Sequence, residues 1–294
     1  MKTILVPTDL SPLANNALHV AVDIARDYDA KILLVNYLPF SIATGSTAEG
    51  SLQIASYLNE QEEIATENLQ KIAKHPDYQG VSITSIVSRD SAGLYETMTN
   101  RQTDQAGAPD RAQPDLIVLG THGTSGWDEL IFGSNAEHIV RAAHCPVLII
   151  KEAIAHFAPK NAVAAIEVDD ALKENWPAYP FNAGGHDLKQ FVYVSTPSDN
   201  IASEGVHTWM HELAQEKSIG NYELHIQYAR NVENGILNYA HERQADLIVL
   251  YTHGHTGLRH MLQGSVAEDV LNHAPLPVLV LRINDGNGQP SVNS

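Results

Sequence analysis

The residues best placed to do chemistry are three glycines and a serine in the first half of the chain. Two residues separate Gly120 from Gly123, and nine further residues separate Gly123 from Gly133-Ser134. A glycine lets a ligand approach the backbone closely, and a helix N-terminus offers unpaired N–H groups that suit a phosphate. Ser134 and Glu137 also fit a capping box. The spacing predicts a phosphate site, while tight turns and a simple helix cap are the alternative.

Alternating strand and helix patterns must position these residues. Apolar strands at 4–6, 32–35, 81–87, 116–119 and 147–150, with helical patterns between them, predict the α/β class. We expect a doubly wound parallel five-stranded sheet of strand order 3-2-1-4-5, with ligands bound beyond the carboxyl ends of strands 1 and 4. The loops that leave these two strands should therefore face each other; they contain Pro7, Thr8, Asp9, Gly120, His122 and Gly123.

The second half of the chain repeats the first. Residues 115–150 and 246–281 align without a gap at an offset of 131, and 17 of the 36 positions are identical. This repeat indicates that the chain is a duplication of a unit of ordinary domain size. We predict a first domain over 1–151, a linker over 152–160, a second domain over 161–283 and a disordered tail over 284–294, which is almost free of apolar residues.

The glycine-serine spacing resembles the G-x2-G-x9-G-[S/T] signature of nucleotide-binding universal stress proteins. The opening ILVPTDLS and the later AEHIVRAAHCPVLII are similar to that family too. The resemblance covers 1–150, and more weakly 161–283, so the chain looks like a tandem member. It implies a Rossmann-like fold of the adenine nucleotide α hydrolase type, a stress-response role, and dimerisation through the fifth strand. It also implies a ligand, which is ATP with or without Mg²⁺, or another adenine nucleotide.

The same resemblance implies roles for individual residues of the first half. Asp9 would accept hydrogen bonds from ribose hydroxyls or adenine, and the backbone of Tyr37 would contact adenine. Ser134 would contact phosphate, and Asn135 follows it. The full predicted set is Pro7, Thr8, Asp9, Tyr37, Gly120, His122, Gly123, Gly133, Ser134 and Asn135. A histidine that only bonds the backbone of its turn is the alternative for His122.

The second copy departs from the motif at its first glycine, where Tyr251 stands. Gly254, Gly264 and Ser265 are retained. Two interpretations are open for this copy: a weaker nucleotide site, or a degenerate repeat kept for pairing with the first half. Glu167 is the best positional match for Asp9, and Asp169 is the alternative.

The opening of the second copy also differs from that of the first. Trp176-Pro177, Pro180 and Gly184-Gly185 interrupt the helical pattern that follows its first strand. Proline lacks the N–H that a helix interior needs. We therefore predict that the first helix of this half is short.

Composition limits the function classes. The chain has 294 residues, 18 basic and 35 acidic, for a net charge of −17. This balance disfavours binding to nucleic acid or to an anionic membrane. The single cysteine, Cys145, precludes an internal disulfide and fits the cytoplasm. No histidine set has zinc-ligand spacing and no residue stands out as a general base, so we expect no metal site and no fast catalysis.

Three functions are compatible with these features: an ATP-binding sensor, a nucleotide-free scaffold that pairs within and between chains, and a slow ATPase. Asp128 and Glu129 lie inside the nine-residue loop of the motif. They would repel a polyphosphate unless they point away or a Mg²⁺ ion bridges them, so they favour the scaffold.

Overall fold

A computed structural model describes residues 1–38, 48–89, 113–121, 134–182, 187–253 and 266–283. The chain forms two compact units. The first contains Met1–Gly120, Ala142–Cys145 and Ala153–Phe157, and the second contains Thr121–Arg141, Pro146–Glu152 and Ala158–Ser294. The predicted disordered tail, 284–294, lies outside the described residues.

The first unit is a parallel sheet with the strand order β3-β2-β1-β4. This is the order predicted for these four strands. Its elements are β1 (Thr3–Thr8), α1 (Pro12–Tyr28), β2 (Lys31–Tyr37), α2 (Ala48–Ala73), a 3₁₀ turn (Pro76–Tyr78), β3 (Ile83–Ser88) and β4 (Leu116–Gly120).

Local signals fix both ends of α1. The Ser11 hydroxyl accepts the N–H of Ala14 at 3.2 Å, and Pro12 opens the helix, as the sequence predicts. At the other end Asp29 takes a left-handed conformation with φ 50°. Between these ends, apolar residues at helical spacing are buried against the sheet. The capped start of α1 therefore lies directly after the β1 loop that contains Asp9.

The second unit holds the sheet of the second repeat. Its parallel strands lie in the order β8-β7-β6-β9-β10, which is the predicted 3-2-1-4-5 order. The elements from residue 134 onward are α3 (Ser134–Ala142), β5 (Val147–Ile150), β6 (Ala162–Ala165), α4 (Asp170–Glu174), β7 (Gln190–Ser195), α5 (Ser203–Glu216), β8 (Glu223–Tyr228), α6 (Val232–Glu242), β9 (Leu247–His253), α7 (Val266–His273) and β10 (Val278–Ile283).

Strand β5 comes from the first repeat in sequence but belongs to the second compact unit. It pairs antiparallel with β10, and Val278 lies opposite Ile149. All four of its residues are buried. No helix within the described ranges is long and apolar enough to cross a membrane.

Candidate functional site

The carboxyl ends of β1 and β4 form the described part of the predicted site. Ile4 pairs with Leu116 and Leu5 with Ile117, so the same register continued places Thr8 beside Gly120. Strands β2 and β3 lie on one side of β1, and β4 lies on the other. The crossover direction therefore reverses between β1 and β4, and this is the switch point at which α/β sheets bind ligands.

Two hydrogen bonds, each from a backbone N–H to a side chain two residues earlier, shape the loop after β1. Thr8 Oγ1 accepts the N–H of Leu10 at 3.0 Å, and Asp9 Oδ1 accepts the N–H of Ser11 at 2.9 Å. Leu10 adopts φ 67°, an uncommon value for a residue with a side chain. Although Asp9 anchors the loop in this way, it remains exposed. The fold thus presents an exposed carboxylate at the switch point.

Asn36, which the sequence analysis missed, fixes the same loop from β2. Its Nδ2 donates to the backbone carbonyl of Thr8 at 2.7 Å. The side chain is only 4% exposed, and its Oδ1 has no hydrogen-bond partner among the described residues. A buried acceptor without a donor is costly. The position of this asparagine, directly after the apolar run 32–35, was the sequence feature that could have indicated its role. Tyr37, the predicted adenine contact, follows it and is half-buried.

Gly120 has a packing role that the sequence did not reveal. A Cβ atom at this position would lie 2.4 Å from the carbonyl oxygen of Leu13 and 2.7 Å from its carbonyl carbon. Leu13 belongs to the first turn of α1, so the missing side chain lets this helix cross the end of β4. The sequence alone suggests a sharp turn or ligand approach at Gly120, whereas close helix packing is a sufficient physical reason for a glycine here.

The remainder of the predicted motif is only partly described. His122, Gly123 and Gly133 lie outside the described residues, as do Gly254, Gly264 and Ser265. The backbone of Ser134 and Asn135 begins α3. Glu137, predicted to complete a capping box, instead accepts a hydrogen bond from Arg141 one helical turn later, at 3.1 Å.

Strand register identifies the counterpart of Asp9 in the second repeat. Leu116 and Leu247 are equivalent in the two repeats, and they pair with Ile4 and Ala162, respectively. Position 4 therefore corresponds to position 162, and Asp9 corresponds to Glu167. Asp169, the alternative, corresponds instead to Ser11. Its carboxylate caps α4 by accepting the N–H groups of Ala171 and Leu172 at 3.0 and 3.3 Å.

Tyr251, the counterpart of Gly120, fills the corresponding place in the second unit. Its side chain is 7% exposed, and its ring packs against Trp176 at an interplanar angle of 38°, with 4.6 Å between the ring centroids. The hydroxyl has no hydrogen-bond partner in the described parts of the chain, and burial raises the pKa of the Tyr251 phenol well above its usual value. The Tyr251 ring thus occupies, in the second repeat, the space that helix α1 occupies next to Gly120 in the first repeat.

A small cavity lies at this altered switch point. Glu167, Asp169 and Tyr251 line it together with aliphatic side chains. Only about 40 Å³ of it admits water-sized molecules. That volume suffices for a few waters, whereas cavities for small-molecule ligands span about 300–1,000 Å³.

The model of the universal stress protein family matches residues 1–151 and 183–282. The chain belongs to the universal stress protein family. The two matches correspond to the two repeats, which makes it a tandem member. The unmatched residues between them include α4 and Trp176, where the second repeat departs most from the first.

Two relatives and one solved structure illustrate the similarity. The chain is 33% identical over 151 residues to a universal stress protein of Methanocaldococcus jannaschii, covering 51% of this chain and 82% of that one. It is 25% identical over 188 residues to one of Mycobacterium tuberculosis, covering 57% and 61%. The crystal structure of a universal stress protein from Archaeoglobus fulgidus superimposes with a TM-score of 0.72 at 19% identity, over 96% of this chain and 98% of that one. The last of these similarities shows the fold alone.

Proposed function

We propose that this universal stress protein binds ATP, or another adenine nucleotide, in its first repeat and acts as a stress-response sensor or regulator. One observation carries the proposal: the two repeats differ at the switch point. The first repeat presents the exposed Asp9 directly after Thr8, the residue beside Gly120, whereas the second has the buried Tyr251 and a cavity of about 40 Å³.

The residues of the first repeat fit such a ligand chemically. Asp9 is an exposed acceptor for ribose hydroxyls, and the buried Asn36 holds the loop that presents it. Ser134 opens α3, whose first N–H groups suit a phosphate. The phosphates of a bound nucleotide, with or without Mg²⁺, would lie at this helix start, and the protein would bind and orient the nucleotide. We propose binding rather than turnover, because no residue of the motif stands out in the sequence as a general base for fast hydrolysis.

We also propose that the two repeats pair within one chain and that two chains associate. The antiparallel contact between β5 and β10 supports the first part, since both strands are almost wholly buried and apolar. A single cysteine supports a cytoplasmic location.

The test compares two matched carboxylate-to-amide variants of the full chain. Asp9→Asn removes the proposed ribose acceptor, and Glu167→Gln makes the same change at its counterpart. Isothermal titration with Mg-ATP should give one site per chain, weakened at least tenfold by Asp9→Asn and unchanged by Glu167→Gln.

Other outcomes separate the alternatives. Two sites per chain would show that Tyr251 does not block the second repeat. No binding by the wild-type chain would refute the nucleotide proposal and favour a scaffold. Phosphate release from ATP that is lost in Asp9→Asn would identify a slow ATPase.

A further inference from the structure

The second repeat has lost most of the helix that covers one face of its sheet. Helix α1 has 17 residues, whereas its counterpart α4 has 5. The sequence predicted this shortening, because Pro177 and Pro180 cannot continue a helix. The lost turns correspond to residues 175–186, so this face of β6, β7 and β9 needs another cover.

Aromatic side chains provide that cover. Strand register equates Leu34, Asn36 and Gly120 of the first repeat with Phe191, Tyr193 and Tyr251 of the second. Each counterpart is larger. Trp176 lies over two of these rings, 4.6 Å from Tyr251 and 6.1 Å from Phe191 between centroids. These larger side chains, together with Trp176, therefore cover part of the sheet face that the missing turns leave.

A cavity of about 490 Å³ adjoins the segment that replaces these turns, since Trp176, Tyr179 and Asn182 of that segment line it. This volume lies within the usual range of about 300–1,000 Å³ for small-ligand sites. The described residues that line it form two kinds of wall. Trp176 and Tyr179 supply aromatic surface, with the fully buried Phe191 behind it, while Asn182, Ser218 and Asn221 supply neutral hydrogen-bonding groups.

The charge of the lining narrows the class of ligand. Asp187 and Lys189 are its two charged side chains among the described residues, and their charges cancel. An amide side chain both donates and accepts, as a ligand hydroxyl does. Aromatic rings offer a flat apolar surface against which a ring compound can stack. A neutral ring with several hydroxyl groups can stack on the aromatic side chains and hydrogen-bond the amides. A polyphosphate would be repelled by the Asp187 carboxylate, and Lys189 is the one described cation in the lining that could offset this repulsion.

We propose that this cavity is a binding site for a neutral, hydroxylated ring compound of the sugar class. Trp176 and Tyr179 stack on the ring, and Asn182 and Asn221 bond its hydroxyl groups. The site is separate from the proposed nucleotide site, and it lies beside the segment that follows the short α4.

The test uses maltose, a neutral disaccharide, as the probe on the full-length protein. Saturation-transfer NMR should detect contact with the maltose ring protons, and a titration gives the dissociation constant. Asn221→Gly removes one amide without backbone strain, because Asn221 has φ 50° and glycine favours positive φ. Loss of this hydrogen bond should raise the dissociation constant about fivefold. The exposed Asn200, which does not line the cavity, provides the control Asn200→Ala, which should leave it unchanged.

Two further measurements keep the proposal open to refutation. Trp176→Phe retains an aromatic ring against Tyr251 but has less surface for stacking, so it should weaken maltose binding while the protein remains folded by circular dichroism. Absence of a maltose signal from the wild-type chain, or equal binding by Asn221→Gly, would overturn the proposal. Adenosine binding that Asn221→Gly abolishes, without maltose binding, would overturn the sugar class.

Discussion

Replacing Gly120 by alanine tests whether this glycine serves packing. The new Cβ would lie 2.4 and 2.7 Å from the backbone carbonyl of Leu13, far inside normal contact distance. A backbone group cannot rotate away, so the cost falls near the top of the usual overpacking range, about 3 kcal/mol. Position 120 does not need a positive φ, so alanine recovers about 0.5–1 kcal/mol by restricting the unfolded chain. The net expected loss of unfolding free energy is about 2 kcal/mol.

Urea denaturation without nucleotide measures this loss as a lower midpoint at unchanged slope. Gly205→Ala is the matched control. Gly205 lies in helix α5, and the nearest atom to its added Cβ is 3.5 Å away, so this variant should gain about 0.5–1 kcal/mol. If Gly120→Ala is as stable as wild type while the control behaves as expected, the packing argument is wrong. A variant of full stability that has lost ATP binding would assign Gly120 to the ligand instead.

Two other variants test buried polar groups. Lys151 is 6% exposed, its Nζ has no hydrogen-bond partner in the described structure, and burial lowers its pKa from 10.5 to about 8. Between about pH 8 and 10.5 the unfolded chain binds more protons at this side chain than the folded chain, so stability should rise with pH in that window and flatten below it. Lys151→Met should abolish this rise and increase the free energy of unfolding by up to about 3 kcal/mol at pH 7. If the urea midpoint of the variant depends on pH as that of the wild type does, the burial argument is wrong. Tyr251→Phe deletes a buried hydroxyl that has no partner among the described residues, and should raise the unfolding free energy by about 1 kcal/mol, whereas a lower melting temperature would indicate that the hydroxyl is hydrogen-bonded.

Local signals in the sequence predicted the parts of the fold that depend on local chemistry. Ser11-Pro12 marked the start of α1, and Pro177 predicted the short α4, because capping and the missing N–H of proline act within one turn. The alternation of strand and helix patterns predicted the α/β class, and the order expected of a doubly wound parallel sheet predicted the strand order.

Contacts between distant segments escaped the sequence analysis. The sequence favours Glu167 as the best match for Asp9 without excluding Asp169, and it is the β6–β9 pairing that assigns Asp169 to the position of Ser11. The clash at Gly120 depends on where α1 crosses β4. The apolar residues of β4 do not indicate where that crossing lies. Asn36 was overlooked because its partner is a backbone carbonyl 28 residues away.

The antiparallel pair of β5 and β10 makes the midpoint of the chain a poor place to cut it. A fragment that ends after Lys151 would keep Val147–Ile150 but lose their β10 partner. Those four apolar residues would become a free sheet edge, which readily pairs with any other exposed edge. Such a half-length fragment would associate with itself or aggregate, so studies of one repeat alone would report on a surface that the whole protein keeps covered.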